Sequence, residues 1–555
     1  MTMKRFIYGL TLAAGMVLAT SCSDKLDELL ENPNAVNATT ASPDFLLNSI
    51  QLNYQSLWYG VSDRGARLTR QINQGSALYE SAYTAGSTNG FWSNAYANIL
   101  ADVNFLLPLA EKSNLQRHMG IAKTIKAMVL MDLVDTYGNV PYSEALDPSN
   151  FSPKVDDGAT VYAAALKLLD EASAHFTATT SGGTPNDYFY GRNYTKWNKL
   201  VNTLKLKYHL NTKLVNADAS KNAINALITA NALIGTGDDF VFRFGTTAAD
   251  PDSRHPKFAG QYTAGGGDYQ STDYMHHLTV EKGFDDPRVR YYMYRQTLTN
   301  TTNVDEQECI SQIAPPHYLV GNYPYCNPAG NKGYWGRDHL DPDGIPPDGL
   351  KRTAYGTFPA GGRYDNSSGA PVSNPALGMK GAGIHPIMLA AYVDFMLAEA
   401  NLTLGTGAAG SAKTLLQSGI KKHMDYVRAF AVAGAEGATI TAFEPTATFT
   451  GRVTNYLKYV DAQYDAAATN DAKMSVVGRE YWLSLFGNGL ESYNLYRRTG
   501  KPTRMQPGLE AITGPFVRSF LYPNNYMVTN TKAVQKANLA SQVFWDKNPA
   551  SPWIY

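Results

Sequence analysis

Apolar residues recur along most of this chain at the spacing of an α-helix. Leu46, Ile50, Tyr54 and Leu57 form one such run, Ile99, Val103, Leu106 and Leu107 a second, and Ile121, Ile125, Met128, Val129 and Leu133 a third. Side chains three or four positions apart share one helix face, so each run predicts an amphipathic helix. Ser42-Pro43-Asp44 marks the start of the first, with a capping residue ahead of a proline at the first helical position. Helical patterns also cover 158–176, 195–214 and 218–233. The clearest runs from Ile387 to Leu404, where Leu389, Tyr392, Val393, Met396, Leu397, Ala400 and Leu404 draw a broad apolar stripe that stops at Gly405. Two more stretches lie near 411–431 and 473–487. Tyr137-Gly138 reads as a helix end at which glycine supplies the left-handed backbone conformation.

These elements predict a mainly α fold. Helix pairs with short connections suggest hairpins of the tetratricopeptide kind, although no clean 34-residue period is visible. They form a scaffold over about 43–235 and 384–500. Between them, about 236–383, the pattern changes to Gly, Pro, Asn, Asp and aromatic residues. A stretch of that length without regular structure is uncommon in a compact domain. Its aromatic content predicts an ordered, loop-rich subdomain with short helices and strands. A C-terminal irregular segment covers about 501–555.

The start of the chain follows a different logic. Lys4 and Arg5 precede an apolar run from Phe6 to Leu18, and Ala19, Thr20 and Ser21 lead to Cys22. That order reads as a signal peptide over 1–21. Its apolar run is about 13 residues, against about 20 needed to span a bilayer. A cysteine directly after the small residues marks the lipoprotein subtype, with Cys22 as the lipid attachment site and 22–42 as a polar tether. The alternative is an ordinary secretory peptide with a chance cysteine.

Composition narrows the function classes. The 48 basic and 48 acidic residues balance, and removal of Lys4 and Arg5 with the leader leaves the remainder at about −2. No clustered basic face points to nucleic acid. The 36 tyrosines and 7 tryptophans, with abundant Gly, Asn and Thr, suit recognition of polar, ring-shaped ligands. Besides Cys22 only Cys309 and Cys326 remain, so an exported chain permits a disulfide between them; two free buried thiols are the alternative.

Several short motifs, in order, carry a family resemblance. They are Asn32-Pro33-Asn34, Ala41-Ser42-Pro43-Asp44, the run from Leu133 through Asp135, Tyr137-Gly138 and Val140-Pro141-Tyr142 to Ala145, Trp197 with Asn202 to Leu206, and Asp286-Pro287-Arg288. Phe395-Met396-Leu397-Ala398-Glu399-Ala400, Glu491-Ser492-Tyr493, Arg497 to Pro502 and Tyr522-Pro523 follow. Together they make the chain resemble the SusD/RagB family of Bacteroidetes outer-membrane lipoproteins, in its SusD-like branch. The resemblance implies a mostly helical fold with four tetratricopeptide-like hairpins and an irregular ligand-binding part. It also implies a cell-surface protein, lipid-anchored in the outer membrane, that captures oligosaccharides, or in some members peptides, for a TonB-dependent transporter of the SusC type. The acidic stretch Ser23 to Glu28 resembles the signal that sends such lipoproteins to the surface; a solvated tether is the alternative.

The signatures themselves read as structural, with Glu399 predicted to pair with Arg497 or Arg498. Trp92, ahead of Tyr96 and Ile99, reads as packing. Sugars are held by flat aromatic faces with amides, carboxylates and arginines on their hydroxyls, and three clusters offer that chemistry. One is Tyr79, Tyr83 and Asn89; a second is Tyr262, Tyr269, Asp273 and Tyr274 around Gly265-Gly266-Gly267; the third is Asn322, Tyr323, Tyr325, Tyr334, Trp335 and Arg337. For each residue alone, core packing or loop pinning is the competing role. Loops on a helical scaffold favour the set as a binding surface. Asp338, Asp341 and Asp343-Gly344 offer oxygen ligands at short spacing for a structural calcium, but the closing glutamate of a twelve-residue loop is missing and Pro346-Pro347 stiffens the segment; turn capping is the stronger reading. No cofactor is otherwise implied. The sequence has no His-Glu-x-x-His, Gly-x-Ser-x-Gly or phosphate-loop motif, and His276-His277 would point apart in a strand. Catalysis, such as a surface glycosidase, is therefore not expected.

Overall fold

A computed structural model describes residues 42–263, 267–327, 330, 332–342, 351–407 and 410–549. Cys22, its tether and Asp343-Gly344 lie outside the described residues. Helices of eight or more residues are numbered here in chain order. Helix α1 is Pro43–Leu68, α2 Ala101–Lys112, α3 Gln116–Tyr137, α4 Gly158–Thr177, α5 Tyr194–Asn211 and α6 Ala217–Ala230. After the irregular stretch and its short α7, Thr272–Thr279, come α8 Ala390–Leu404, α9 Ala412–Val432, α10 Thr446–Ala466, α11 Asn470–Ser484 and α12 Gly489–Thr499. No helix among the described residues is long and apolar enough to cross a membrane.

Helix α1 starts at Pro43 as expected, yet the Ser42 side chain makes no cap bond; Asp44 in the first turn instead reaches His118 Nε2 on α3 at 2.7 Å. Antiparallel neighbours α3–α4 and α8–α9 pack as hairpins, and α4, α5 and α6 follow in order. Gly138 ends α3 with φ +82° and ψ −98°. That conformation is open to glycine but is not the left-handed helical one the sequence suggests.

Two differences in the second half have physical causes. The stripe from Leu389 predicts one apolar face, whereas α8 is buried on every side from Ala390 to Ala400 because α9, α11, α5 and α6 surround it. Ile387 and Met388 belong not to the helix but to strand Ile384–Met388, antiparallel to Phe240–Arg243. Helix α10 escapes a periodicity reading because its buried stripe is narrow and rich in tyrosine, and threonine-rich turns weaken its helix propensity.

A glycine pair sets how closely α1 and α12 cross. A Cβ on Gly489 would lie 2.0 Å from the Ala66 nitrogen, and one on Gly65 2.1 Å from the Gly489 oxygen. Between 236 and 383 lie short helices and strands, including a two-residue antiparallel pairing of Met293–Tyr294 with Ala354–Tyr355. Tyr274, Tyr291 and Tyr292 of this stretch pack into the same apolar core as the scaffold helices.

Buried polar hubs fix the helix ends. Asp135, in α3, accepts from Asn494 at 2.7 Å, Trp545 Nε1 at 2.9 Å and the Tyr162 hydroxyl. Asp286 and Arg288 form a fully buried two-pronged pair at 2.7 and 2.8 Å. Glu399 pairs with Arg498, at 2.8 and 2.9 Å, and with Lys213 at 2.6 Å. Burial alone would raise the Glu399 carboxyl, but these cations hold it below the usual carboxylate range. Arg497 turns elsewhere, donating to the Arg518 carbonyl with its guanidinium 3.7 Å from the centre of the Tyr493 ring.

Removing one partner of such a pair strands a buried charge, at a cost of about 3–5 kcal/mol. Arg498→Ala is expected to lose that much stability in a denaturant titration. Arg498→Lys should recover only part of it, since lysine lacks the planar fork; a wild-type midpoint in the alanine variant would refute this role.

Candidate functional site

Helix α7 opens with Ser271, whose Oγ accepts from the Tyr274 backbone N–H, and places Asp273 in the first turn and His276 and His277 in the last. These histidines are therefore helical, not on a strand. His277 stands one turn from both Asp273 and Glu281: its Nδ1 lies 3.0 Å from Glu281 Oε2 and its Nε2 3.7 Å from Asp273 Oδ1. Arg479 of α11 reaches the other Glu281 oxygen at 3.3 Å. Burial pushes the Glu281 carboxyl up, yet the His277 hydrogen bond and the charges of His277, Arg479 and Lys282 leave it below its ordinary range.

These residues form one wall of a cleft of about 380 Å³. Asn322, Tyr323 and Pro324 form another, Pro502, Thr503 and Arg504 a third, and Gln463 and Ser475 close it from α10 and α11. The Arg504 guanidinium lies 5.9 Å from the centre of the Tyr323 ring and donates to the Gly321 carbonyl. The Cys309–Cys326 disulfide is formed, with Cα atoms 5.7 Å apart, and closes the loop that carries Asn322, Tyr323 and Tyr325.

One buried side chain joins the walls. Gln506 donates its backbone N–H to Asp273 Oδ2 at 3.2 Å and its amide to Asp338 Oδ1 and the Pro324 carbonyl, both at 2.8 Å; its amide oxygen accepts from the His339 N–H at 2.9 Å. Asp338 also accepts from the Cys326 N–H at 2.9 Å, which gives this aspartate the turn-pinning role. Burial pushes its carboxyl up to about 7. Of the calcium-loop candidates, Asp341 lies 4.0 Å from Arg337, and no group of three His, Cys, Asp or Glu side chains suited to a metal occurs among the described residues.

The structure thus unites Asp273, Asn322 and Tyr323, with Tyr325 beyond them donating to Gln312 at 3.2 Å. Other candidates take the packing role. Tyr79 is fully buried, its hydroxyl 2.9 Å from His339 Nε2. Tyr83 donates to Gln74 at 2.8 Å and packs edge-on against Phe520, and Asn89 accepts from the Asn525 N–H at 3.3 Å. Tyr262 is fully buried on Phe258, and Tyr274 is buried against Trp482. Tyr334 lies under Arg295, and Trp335 is fully buried. Their rings are packed against protein. Tyr269 is half-buried, with the guanidinium groups of Arg337 and Arg352 4.6 and 4.4 Å from its ring centre. Trp92 packs against Tyr96, Tyr137 and Tyr526, the role expected of it.

Sequence reasoning missed Arg479, Arg504, Gln463, Ser475 and Gln506. The helical stretch near 473–487 covers Ser475 and Arg479, and Lys501-Pro502 ends a quoted motif close to Arg504 and Gln506, but neither singles these residues out. Chemically, the cleft offers a half-exposed tyrosine ring beside an arginine, with amide and hydroxyl groups around it. Its two carboxylates are already engaged by His277, Arg479 and Gln506.

Residues 33–312 match a family model described as starch-binding and associating with the outer membrane, and residues 354–546 match one described as SusD and RagB outer membrane lipoprotein. No curated protein matches the chain in sequence. Among solved structures, a SusD homologue from Bacteroides fragilis shares 20% identity, with a TM-score of 0.63 over 92% of this chain and 100% of that one. A SusD homologue from Bacteroides uniformis shares 17% identity, with a TM-score of 0.63 over 91% and 100%. A chitin-binding SusD homologue from Flavobacterium johnsoniae shares 18% identity, with a TM-score of 0.60 over 90% and 99%. At such identities the likeness shows the shared fold.

Asp338 sets a pH signature. An unfolded aspartate titrates near 3.9. Between about pH 4 and 7 the native carboxyl keeps a proton that the unfolded chain has released, so its contribution to stability falls as pH rises through that window. Asp338→Asn should flatten this part of the profile. Thermal midpoints at several pH values from 4 to 8 test it, and equal slopes in wild type and variant would rule the assignment out.

Proposed function

We propose, from the premise that the chain belongs to the SusD/RagB family of outer-membrane lipoproteins, that it captures oligosaccharides at the cell surface in the α7 cleft and delivers them to a TonB-dependent transporter of the SusC type. The observation that carries this reading is the Tyr323–Arg504 platform, faced by the Asn322 amide, Ser475 and Gln463. An aromatic face covers the C–H side of a sugar ring while amides and hydroxyls meet its oxygens. The starch-binding family description and the chitin-binding homologue support a glycan as ligand. Binding without turnover fits the electrostatics, because glycoside hydrolysis needs a carboxylic acid that stays protonated and Glu281 is held the other way. Attachment through lipid on Cys22 would keep the protein at the membrane, each buried methylene contributing about 0.8 kcal/mol.

Calorimetry against malto-, cello- and chito-oligosaccharides should show binding with no product released. Tyr323→Ala should weaken it roughly 5–10-fold, the value of a lost aromatic contact of about 1 kcal/mol. Trp335→Ala should instead act on the fold, costing about 3–5 kcal/mol. Hydrolysed product, or binding of peptides alone, would overturn the reading. Cys22→Ser should shift the protein from the membrane to the soluble fraction with glycan affinity unchanged; retention at the membrane would exclude the lipid anchor.

A further inference from the structure

Helix α10 has two faces of different character. Phe449, Val453, Tyr456, Val460 and Tyr464 are buried in the core. Flanking that buried face, Thr448, Arg452, Asn455, Tyr459 and Gln463 recur at intervals of four, three, four and four residues, a continuous stripe about 22 Å long. Gln463 reaches the α7 cleft. Thr448, Arg452 and Asn455 line a second cleft, of about 590 Å³, whose remaining walls include Phe284, Asp285, Arg290 and Phe443.

The second cleft carries two aromatic rings that the fold holds partly in water, Phe284 at 36% and Phe443 at 44% exposure. Neither ring is loosely placed. Phe443 lies under the Arg290 guanidinium at 4.8 Å and meets the Tyr364 edge at 6.0 Å; Phe284 stands edge-on to Tyr456 and Tyr459 at 6.2 and 5.5 Å. Arg290 is itself fixed by the Asp365 carbonyl at 2.7 Å and Ser367 at 2.9 Å, and Arg452 is engaged by the Glu444 carboxylate. With both arginines committed, and the Glu444 and Asp285 carboxylates of the lining paired with Arg452 and Lys332, the uncharged groups facing the cleft are aromatic surface, the Asn455 amide and the Thr448 hydroxyl. That set suits uncharged sugar rings better than an anion.

Two segments connect this cleft to the first. Along α10, Asn455 and Gln463 are about 12 Å apart, with Tyr459 between them. The turn after α7 sends Glu281 into one cleft and Phe284 and Asp285 into the other. We propose that the α10 stripe is the floor of one extended groove, in which the two clefts are subsites for a single linear, neutral oligosaccharide. The inference rests on the glycan-binding reading of the α7 cleft. A chain that reaches both subsites makes its second contact intramolecularly, so affinity should climb once the ligand spans the gap.

The test is calorimetry of the full chain with N-acetylglucosamine oligomers and with α- and β-linked glucose oligomers, from disaccharide to octasaccharide. Wild type is expected to bind the longest members of its preferred series at least tenfold tighter than the shortest. Phe284→Ala/Phe443→Ala should abolish that gain and leave disaccharide affinity within twofold; both rings are partly exposed, and a melting curve checks the fold. A flat dependence on length in wild type, or a gain that survives in the double variant, overturns the groove. If Tyr323→Ala weakens every length while the double variant changes nothing, the groove alone fails. If no series binds, or Tyr323→Ala has no effect, the α7 reading fails and the groove falls with it.

Discussion

Helix α8 lies at the centre of the molecule with a carboxylate on it, and the scaffold depends on how Glu399 is neutralised there. Arg498 arrives from α12 and Lys213 from the turn after α5. Arg498 also reaches Glu491 at 2.8 Å and Asn211 at 3.2 Å. One buried ionic cluster therefore ties the N-terminal helices, the central hairpin and the C-terminal helices in a single register. Such a cluster adds little net stability, because desolvation offsets most of the Coulomb attraction. Its value is selective: a slipped arrangement of α8 or α12 would leave buried charge unpaired. The Gly65–Gly489 crossing acts alongside it, fixing the separation of α1 and α12 where the cluster fixes their alignment.

Much of the scaffold was legible because a half-buried helix writes its period into the sequence. Helices α4 and α9 show that stripe and their limits fall within about a residue of those the pattern suggests, while α1 starts at the expected proline but runs past Leu57 to Leu68. The signal fades when a helix is surrounded. Helix α12 is buried from Gly489 to Arg498, yet Glu491, Ser492, Asn494, Arg497 and Arg498 interrupt its apolar Leu490, Tyr493, Leu495 and Tyr496, because much of its burial is satisfied by polar partners on other elements. The family resemblance marked this stretch, through Glu491, Ser492, Arg497 and Arg498, without assigning it a helix. It also pointed correctly to Glu399, while only coordinates distinguish Arg498 from Arg497 as the partner.

The binding candidates were harder to read because aromatic richness has two sources. Burying a large side chain contributes about 1.5–3 kcal/mol, so the irregular stretch buries rings such as Tyr262 and Trp335 locally and sends Tyr274 into the scaffold core. A ring kept for a ligand has the same letter in the sequence. What separates them is accessibility: Tyr323, Phe284 and Phe443 keep accessible surface, the first and last beside arginines and Phe284 edge-on to Tyr456 and Tyr459. Composition counts tyrosines but does not record which keep surface open to solvent.

The α7 cleft draws its walls from residues 273–281, 322–324, 463–479 and 502–504, segments that no local motif could join. Their union rests on groups buried behind them. Gln506 bonds to two of these walls, at Asp273 and Pro324, and to Asp338 behind them, and the disulfide pins the Tyr323 loop a few residues away at Cys326. A surface assembled this way loses little freedom when a ligand arrives, because its loops are already ordered. That condition matters for sugars in particular, whose contacts are individually weak and whose hydroxyls are well solvated in water. A loop-rich stretch can therefore serve as a binding surface only to the degree that it is bonded to the scaffold, and the fully buried Gln506 supplies that bond.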